Sequence, residues 1–174
     1  MEDHTDDVCC PKFDLNSYNN DGSGNPYKLL TWNDKPFVKD GTWCIYYVPL
    51  AFGRAVIRAM KQISDAGAEP PKSDVMILSD CTSPWYTNIY VSTTKDDVPG
   101  VEVQKISGTF LAKAYEGDYS NMGKWATETK ELVKTSKLSA EDVEKMQIYY
   151  YYPTCPKCAK KYGNNYVVVL AKLT

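Results

Sequence analysis

The chain has 174 residues, of which 43% are apolar and 24% charged, and its formal net charge is −2. This length favours a single domain, and the composition is that of a globular protein. The slightly acidic balance, with no visible basic stripe, argues against a nucleic-acid partner. The apolar runs are short, which predicts no membrane-spanning segment.

The first residues and the cysteines bear on the compartment. Residues 1–7 are acidic and polar, whereas a secretory signal has a basic start and an apolar middle. We therefore expect a cytoplasmic protein. In that compartment the six cysteines are expected to be thiols or metal ligands instead of disulfides.

Two residue counts restrict the chemistry. The single histidine, His4, lies in the acidic start, so the body of the domain can hold neither a Ser-His or Cys-His pair nor a histidine zinc site. The acid or base of an enzyme would then be a carboxylate, tyrosine, cysteine or lysine. There are 14 tyrosines against 4 phenylalanines. This suits a cavity that is both apolar and hydrogen-bonding, or simply the borders of a sheet.

The first half of the chain predicts one helix and three strands. Residues 1–31 are rich in Asp, Asn, Gly and Ser and predict a tail and loop. The pattern then predicts a strand, a helix that begins at Pro49 and stops at Gly67, and two more strands. The predicted strands are 42–48, 74–80 and 87–94. The predicted inward stripe of the helix is Phe52, Val56, Met60 and Ile63.

The second half repeats this order. A strand over 106–116 has Phe110, Ala112 and Ala114 on one face. The helix that follows has an inward stripe of Met122, Trp125, Thr129 and Leu132 or Val133. A short helical turn over 139–146, capped by Ser139, and two strands at 147–152 and 165–172 complete the pattern.

These elements predict an α+β fold. Its plan is a duplicated βαββ repeat, with a mostly antiparallel sheet and two main helices on one face. We expect an N-terminal tail or loop over 1–31 and a single domain over 32–174. The two repeats would span about 37–94 and 105–174. A ligand cleft is expected where the halves meet.

Several motifs resemble the GyrI-like small-molecule-binding domains. The segment AYEGDYSNMGKWATE at 114–128 resembles the strand–turn–helix of that family, with Asp118 where the family usually has proline. CCPKFD at 9–14, SGTFLAK at 107–113 and CPKCAKKYGNNYVV at 155–168 are similar to a subgroup labelled as hydrolases. The likeness covers nearly the whole chain from Cys9 onward.

The resemblance implies a protein that binds flat aromatic, often cationic, small molecules in an aromatic cage. It also implies hydrolysis of strained cyclopropane-type DNA alkylators, as in cyclopropanoid cyclopropyl hydrolases. Nothing in the chain resembles an attached helix-turn-helix. A regulator role is therefore not expected.

Glu116 is the main candidate for catalysis, with Tyr119. A carboxylate among rings is poorly solvated, which raises its pKa and strengthens its attraction for a cation. In a hydrolase, Glu116 would orient or deprotonate the attacking water. The alternative is a solvated carboxylate at the start of the following helix.

Six aromatic residues are candidates for the walls of the cage. Trp85 lies in a Ser-Pro-Trp connection between strands, which is typical of a pocket wall or of packing over the sheet. Trp125 is predicted to pack in the core or to line the site. In the YYYY run, alternate rings face opposite sides of the strand, and the sequence leaves open which pair faces a ligand. The remaining candidates are Tyr115, Tyr149, Tyr151 and Tyr166.

Four cysteines form a candidate metal site. Cys155 and Cys158 have the two-residue spacing of a zinc half-site, and the second half would be Cys9 and Cys10. A structural zinc ion would pin the N-terminal segment onto the loop at 153–163. Free thiols, or a redox pair at CPKC, are the alternatives.

The sequence thus predicts a hydrolase with a small-molecule aromatic or cationic ligand and no cofactor in its chemistry. A non-catalytic binder that sequesters such molecules is the rival prediction. A zinc-dependent interaction module is a third.

Overall fold

A computed structural model of the chain describes residues 9–140 and 142–174. The acidic start with His4, and Glu141 in the predicted turn at 139–146, lie outside these residues. The helices are α1 (Asn16–Asn19), α2 (Phe52–Asp65), α3 (Met122–Thr135) and α4 (Pro156–Tyr162). The strands are β1 (Lys28–Ile45), β2 (Val48–Pro49), β3 (Ile77–Ser79), β4 (Tyr86–Ser92), β5 (Glu102–Glu116), β6 (Ile148–Tyr151) and β7 (Tyr166–Lys172).

The strands form one antiparallel sheet in the order β2-β1-β4-β3-β6-β7-β5. β1 also pairs with β5, so six of the strands close into a ring. Residues 37–39 are the closing point, because they pair with β4 on one side and with β5 on the other. The predicted α+β class and the antiparallel sheet are confirmed, and the closure is a feature that the sequence analysis did not predict.

The inner face of the ring is filled by apolar side chains. The strand alternation places Phe37, Tyr90 and Phe110 inward, and each is almost completely buried. Small residues follow on β5, where Ala112 and Ala114 leave room for larger neighbours. The remaining buried members are Met76, Leu78, Ile106, Tyr149, Val168 and Leu170. We call this set the inner cluster.

The two long helices pack on outward-facing strand residues. α2 buries Ala55, Ala59 and Ile63 against residues of β1 and β4. The predicted stripe is wrong at Met60, which is 44% exposed, because the small alanines let the helix approach the sheet on their own side. α3 buries Trp125, Thr129 and Val133 as predicted. No helix within residues 9–140 and 142–174 has the length and apolarity to cross a bilayer.

Several predicted boundaries differ from the structure. β1 begins at Lys28, inside the predicted tail, and continues through Pro36 with a bulge between Trp32 and Lys35. Pro49 does not open a helix, because it pairs with Cys44 in β2. The predicted loop after residue 153 contains α4, which Cys155 caps. The described residues of 139–146 form turns without a helix.

Replacing Phe110 tests the filling of the ring. Phe110 is fully buried, so Phe110→Ala should lower the free energy of unfolding by about 3–5 kcal/mol. Leu29→Ala on β1 is the matched control. Its side chain is 46% exposed, and the expected loss is about 0.5 kcal/mol or less. Urea titration of both variants measures the difference, and equal losses would contradict the described core.

Candidate functional site

The tyrosine run lies on both faces of β6. Tyr149 and Tyr151 pack with the inner cluster, whereas Tyr150 and Tyr152 pack outward with Trp125. The predicted alternation is confirmed. Burial raises the pKa of Tyr149 and of Tyr150 to about 12, and also raises that of Tyr152. Burial thus favours the neutral phenol at all three positions, and the Tyr152 hydroxyl lies 2.8 Å from the Ser79 hydroxyl.

Glu116 lies at the last position of β5, where β5 has a neighbouring strand on one side only. β1 accompanies β5 as far as Ala112, so Glu116 pairs only with Tyr166 of β7 and is exposed to solvent. The prediction of a dry, ring-lined environment for Glu116 is wrong for this reason. The environment agrees with the alternative interpretation of a solvated carboxylate. Its role in catalysis stays a prediction.

Glu116 nevertheless has a defined neighbour. Asn164, oriented to satisfy both of its contacts, donates to Glu116 Oε1 at 2.9 Å and accepts from the Tyr166 hydroxyl at 3.0 Å. The turn after Glu116 is held by Asp118, whose carboxylate accepts the backbone N–H of Ser120 at 2.8 Å. The family's usual proline is thus replaced by a residue that caps the turn.

An open depression adjoins this end of the sheet. Its volume is about 480 Å³, and it is widely open to solvent. It is lined by Tyr119, Pro156, Ala159, Lys160, Gly163, Asn164 and Asn165. Burial raises the pKa of Tyr119, which favours the neutral phenol, a group that can donate a hydrogen bond. The depression therefore combines a phenol, an amide and an ammonium group, with the Glu116 carboxylate behind Asn164.

The other predicted cage residues lie elsewhere. Tyr115 stacks on Trp125 with ring centroids 5.4 Å apart, and Trp125 is buried under α3. Tyr149 meets Tyr90 in the inner cluster at 5.7 Å. The eight predicted site residues therefore do not surround one cavity. Alternation along a strand separates neighbours in sequence, so adjacent tyrosines cannot all line one side.

Trp85 belongs to a different surface, on the connection between β3 and β4. Its ring lies 5.3 Å from Tyr46, and the Trp43 and Tyr86 rings are 5.4 Å apart. The Cys44 N–H donates to the Trp85 carbonyl at 2.8 Å, which fastens this connection to β1. We call Trp43, Tyr46, Tyr47, Trp85 and Tyr86 the exposed aromatic patch.

The exposed aromatic patch is unusual for its exposure. Tyr46 is 73% and Trp43 68% exposed, although large rings are normally covered. The sequence analysis assigned TWCIYYV to an ordinary strand and missed four of the five rings. One signal was available in the sequence. Tyr46 and Tyr47 follow the last residue of β1, Ile45, and aromatic residues just beyond the end of a strand can be exposed.

The N-terminal segment, residues 9–27, covers the inner cluster near the ends of β6 and β7. The Phe13 ring lies 5.1 Å from Tyr166, and the Tyr18 ring lies 6.3 Å from Tyr151. The Asn19 side chain accepts the Ala114 N–H at 2.9 Å and donates to the Ala114 carbonyl at 3.0 Å. It thereby extends the hydrogen bonding of β5 beyond the start of β1.

The four predicted metal ligands come together. Cys9 Sγ lies 3.4 Å from Cys155 Sγ, 3.5 Å from Cys158 Sγ and 3.8 Å from Cys10 Sγ. All four sulfur atoms lie within 4.8 Å of one another. In the free thiols, the pKa of Cys9 is raised to about 12, and the largest cause is its hydrogen bond with Cys155. This grouping is compatible with a structural metal ion, as the spacing predicted.

The family-model comparison agrees with the resemblance seen in the motifs. A family model described as "Bacterial hydrolase" matches residues 1–173. The chain therefore belongs to this family of bacterial hydrolase-like proteins, which is of the GyrI-like type. Among curated proteins, none matches the chain.

The turn that carries Tyr46 and Tyr47 of the exposed aromatic patch has a strained backbone. Tyr46 and Tyr47 connect the paired residues Ile45 and Val48, and both have positive φ, +47° and +69°. Such turns favour Asn and Gly, and a bulky residue there is strained by about 1–2 kcal/mol.

Replacements at Tyr47 should reveal that strain. Tyr47→Asn should raise the free energy of unfolding by about 0.5–1 kcal/mol, whereas Tyr47→Val should lower it by about 1 kcal/mol, because a β-branched residue adopts positive φ poorly. Urea titration compares the two variants. A valine variant as stable as the asparagine variant would contradict the described turn.

Proposed function

We propose that this member of the bacterial hydrolase family hydrolyses small electrophilic ring compounds of the strained cyclopropane class. The proposed site is the depression beside Glu116. The observation that carries the proposal is the arrangement there of a carboxylate, held by the Asn164 amide, next to a hollow lined by Tyr119 and Lys160.

The proposed reaction uses water as the nucleophile. Glu116 accepts a proton as the water oxygen bonds to a ring carbon. The strained C–C bond breaks, and its electron pair moves to an electron-accepting group of the substrate. That group afterwards takes a proton from solvent, and Glu116 releases its own proton to solvent, so the product equals the substrate plus one water and the carboxylate is restored.

Lys160 and Tyr119 fit the charge that develops in this step. An ammonium group and a neutral phenol both stabilise negative charge on the accepting group of the substrate. Lys160 also favours an electron-poor neutral ligand over a cationic one at this position, since like charges repel.

The proposed reaction needs only a carboxylate and water. The four cysteines would hold a structural ion, because four thiolates leave no open coordination position.

We further propose that the two halves are copies of one βαββ unit. The pairings correspond: β1 pairs with β4 and β4 with β3 in the first half, as β5 pairs with β7 and β7 with β6 in the second. Each half also has one 14-residue helix after its first long strand. The depression and the exposed aromatic patch would then occupy the ends of corresponding strands, β5 and β1.

Turnover of a cyclopropane-bearing alkylator tests the hydrolase. Mass spectrometry should show more than one water-addition product per protein molecule. Glu116→Gln should lower kcat/KM by about 10²-fold, because the amide cannot accept the proton. Glu128→Gln on α3 is the control, since this exposed carboxylate contacts only Lys124 among the described ion pairs. Equal turnover by Glu116→Gln and wild type would contradict the role of Glu116.

A second candidate, binding without turnover, is favoured by the exposed aromatic patch. Flat aromatic cations stack on such rings, and cation–π attraction adds to the contact. Because this patch is distinct from the depression, the two functions are separable by mutation.

Binding of a flat cationic dye such as ethidium tests the second candidate. Trp85→Ala should weaken binding by about tenfold, because it removes one stacking face. Glu116→Gln should leave dye binding unchanged, and fluorescence anisotropy measures both. Unchanged affinity in Trp85→Ala would contradict the patch as a binding surface, whereas one-to-one protection from an alkylator without turnover would contradict the hydrolase.

A further inference from the structure

The four clustered cysteines come from two distant parts of the chain. Cys9 and Cys10 precede α1, whereas Cys155 and Cys158 surround the start of α4, and 145 residues separate Cys10 from Cys155. The strand pairings of the sheet and the contacts of the N-terminal segment bring these two parts together in the folded protein. Thiols are weak hydrogen-bond donors and acceptors, so the grouping of four of them suggests that an ion binds between them.

The sulfur positions agree with a tetrahedral zinc site. Zinc–sulfur bonds of about 2.3 Å in a tetrahedron place the sulfur atoms about 3.8 Å apart. The three distances from Cys9 Sγ are 3.4, 3.5 and 3.8 Å. They are far longer than a disulfide bond of about 2.05 Å, and all four cysteines are free thiols.

Neighbouring N–H and hydroxyl groups form hydrogen bonds with the clustered cysteines. The Cys155 N–H donates to Cys10 Sγ at 3.3 Å, and the Cys158 N–H donates to Cys155 Sγ at 3.5 Å. The Tyr162 hydroxyl donates to the Cys10 carbonyl at 2.8 Å, which orients the backbone of the first pair of ligands. Hydrogen bonds of this kind stabilise thiolate charge and fix ligand direction in metal sites.

We propose that Cys9, Cys10, Cys155 and Cys158 bind one Zn²⁺ ion, and that this ion fastens the N-terminal segment across the inner cluster. All four positions on the ion are then taken by thiolates, which makes the site structural. Cys158 is buried and Cys9 is exposed, so the site lies at the surface with a path for the metal to enter.

The fastened segment covers apolar surface. Phe13, Leu15 and Tyr18 pack against the inner cluster, and α1 has only four residues, too few for a helix that is stable alone. The segment therefore depends on its contacts and on the metal for its position. Release of the ion would expose the rings of Tyr151 and Tyr166, which Tyr18 and Phe13 of the segment contact, to solvent.

Metal analysis of the full chain, purified in reductant without added metal, is the first test. The expected result is about one zinc per chain, and none in the double variant Cys155→Ser, Cys158→Ser. Cys81→Ser is the matched control, because Cys81 lies outside the cluster, and it should keep its zinc. Zinc below about a tenth per chain, iron in its place, or zinc kept by the double variant would each overturn the metal assignment.

Cobalt substitution tests the site in wild-type protein and so does not depend on the folding of the double variant. Wild-type protein that is stripped with a chelator and refilled with Co²⁺ should show the visible absorption of tetrahedral cobalt and the near-ultraviolet bands of cobalt bound to thiolates. A spectrum of hydrated, octahedral Co²⁺ would contradict the four-sulfur site.

Hydrogen exchange tests the fastening. Chelation of zinc from wild-type protein should accelerate amide exchange in residues 9–27 by about tenfold or more, whereas amides of β5 and β7 facing the inner cluster should change far less. Re-addition of Zn²⁺ should restore protection. Exchange of residues 9–27 that is equally slow with and without zinc would contradict the proposed role. None of these three measurements depends on hydrolase activity.

Discussion

The pairing of β1 with strands on both of its edges is the constraint on which this structure depends. Residues 37–39 bond to β4 and to β5 at once, so the sheet has no free edge at this point. Closure creates an inside, and the inside must be filled to the density of a protein core. Phe37, Tyr90 and Phe110 are the largest of the fully buried side chains, while the alanines of β5 adjust the fit. The helices then cover the outer face.

The filled interior has a consequence for ligand binding. The ligand cleft that the sequence predicts where the two halves meet stays a prediction, whereas the interior of the ring is filled by the inner cluster, against which the N-terminal segment packs. The depression near Glu116 and the exposed aromatic patch are both accessible to solvent, at the ends of β5 and β1. The strands that build the core therefore also carry both candidate sites at the points where they extend beyond their partners.

The sequence predicted regular elements well where side-chain periodicity was strong. α3, the alternation of the YYYY run and the grouping of the four cysteines are all found in the structure. Prediction failed where backbone geometry overrides composition. Lys28–Ile45 contains Pro36 and a bulge at Asp34, so its polar first half resembled a loop. The hairpin at Tyr46 and Tyr47 uses positive φ without the Asn or Gly that normally signals it.

The environment of Glu116 was not predictable from its neighbours in sequence. Aromatic residues on either side suggested a dry site, but solvation depends on how far β1 accompanies β5, which is a property of strand register. Membership in the bacterial hydrolase family supports a hydrolytic activity in general. In the proposed reaction, Asn164 holds the Glu116 carboxylate, and Lys160 and Tyr119 stabilise the negative charge that develops on the substrate.

Contacts between aromatic rings report directly on whether the N-terminal segment covers the inner cluster. In the reduced, zinc-loaded protein, nuclear Overhauser effects should connect the Phe13 ring to Tyr166 and the Tyr18 ring to Tyr151, because their centroids lie 5.1 and 6.3 Å apart. Absence of both connections, with the contacts inside the sheet intact, would contradict the account.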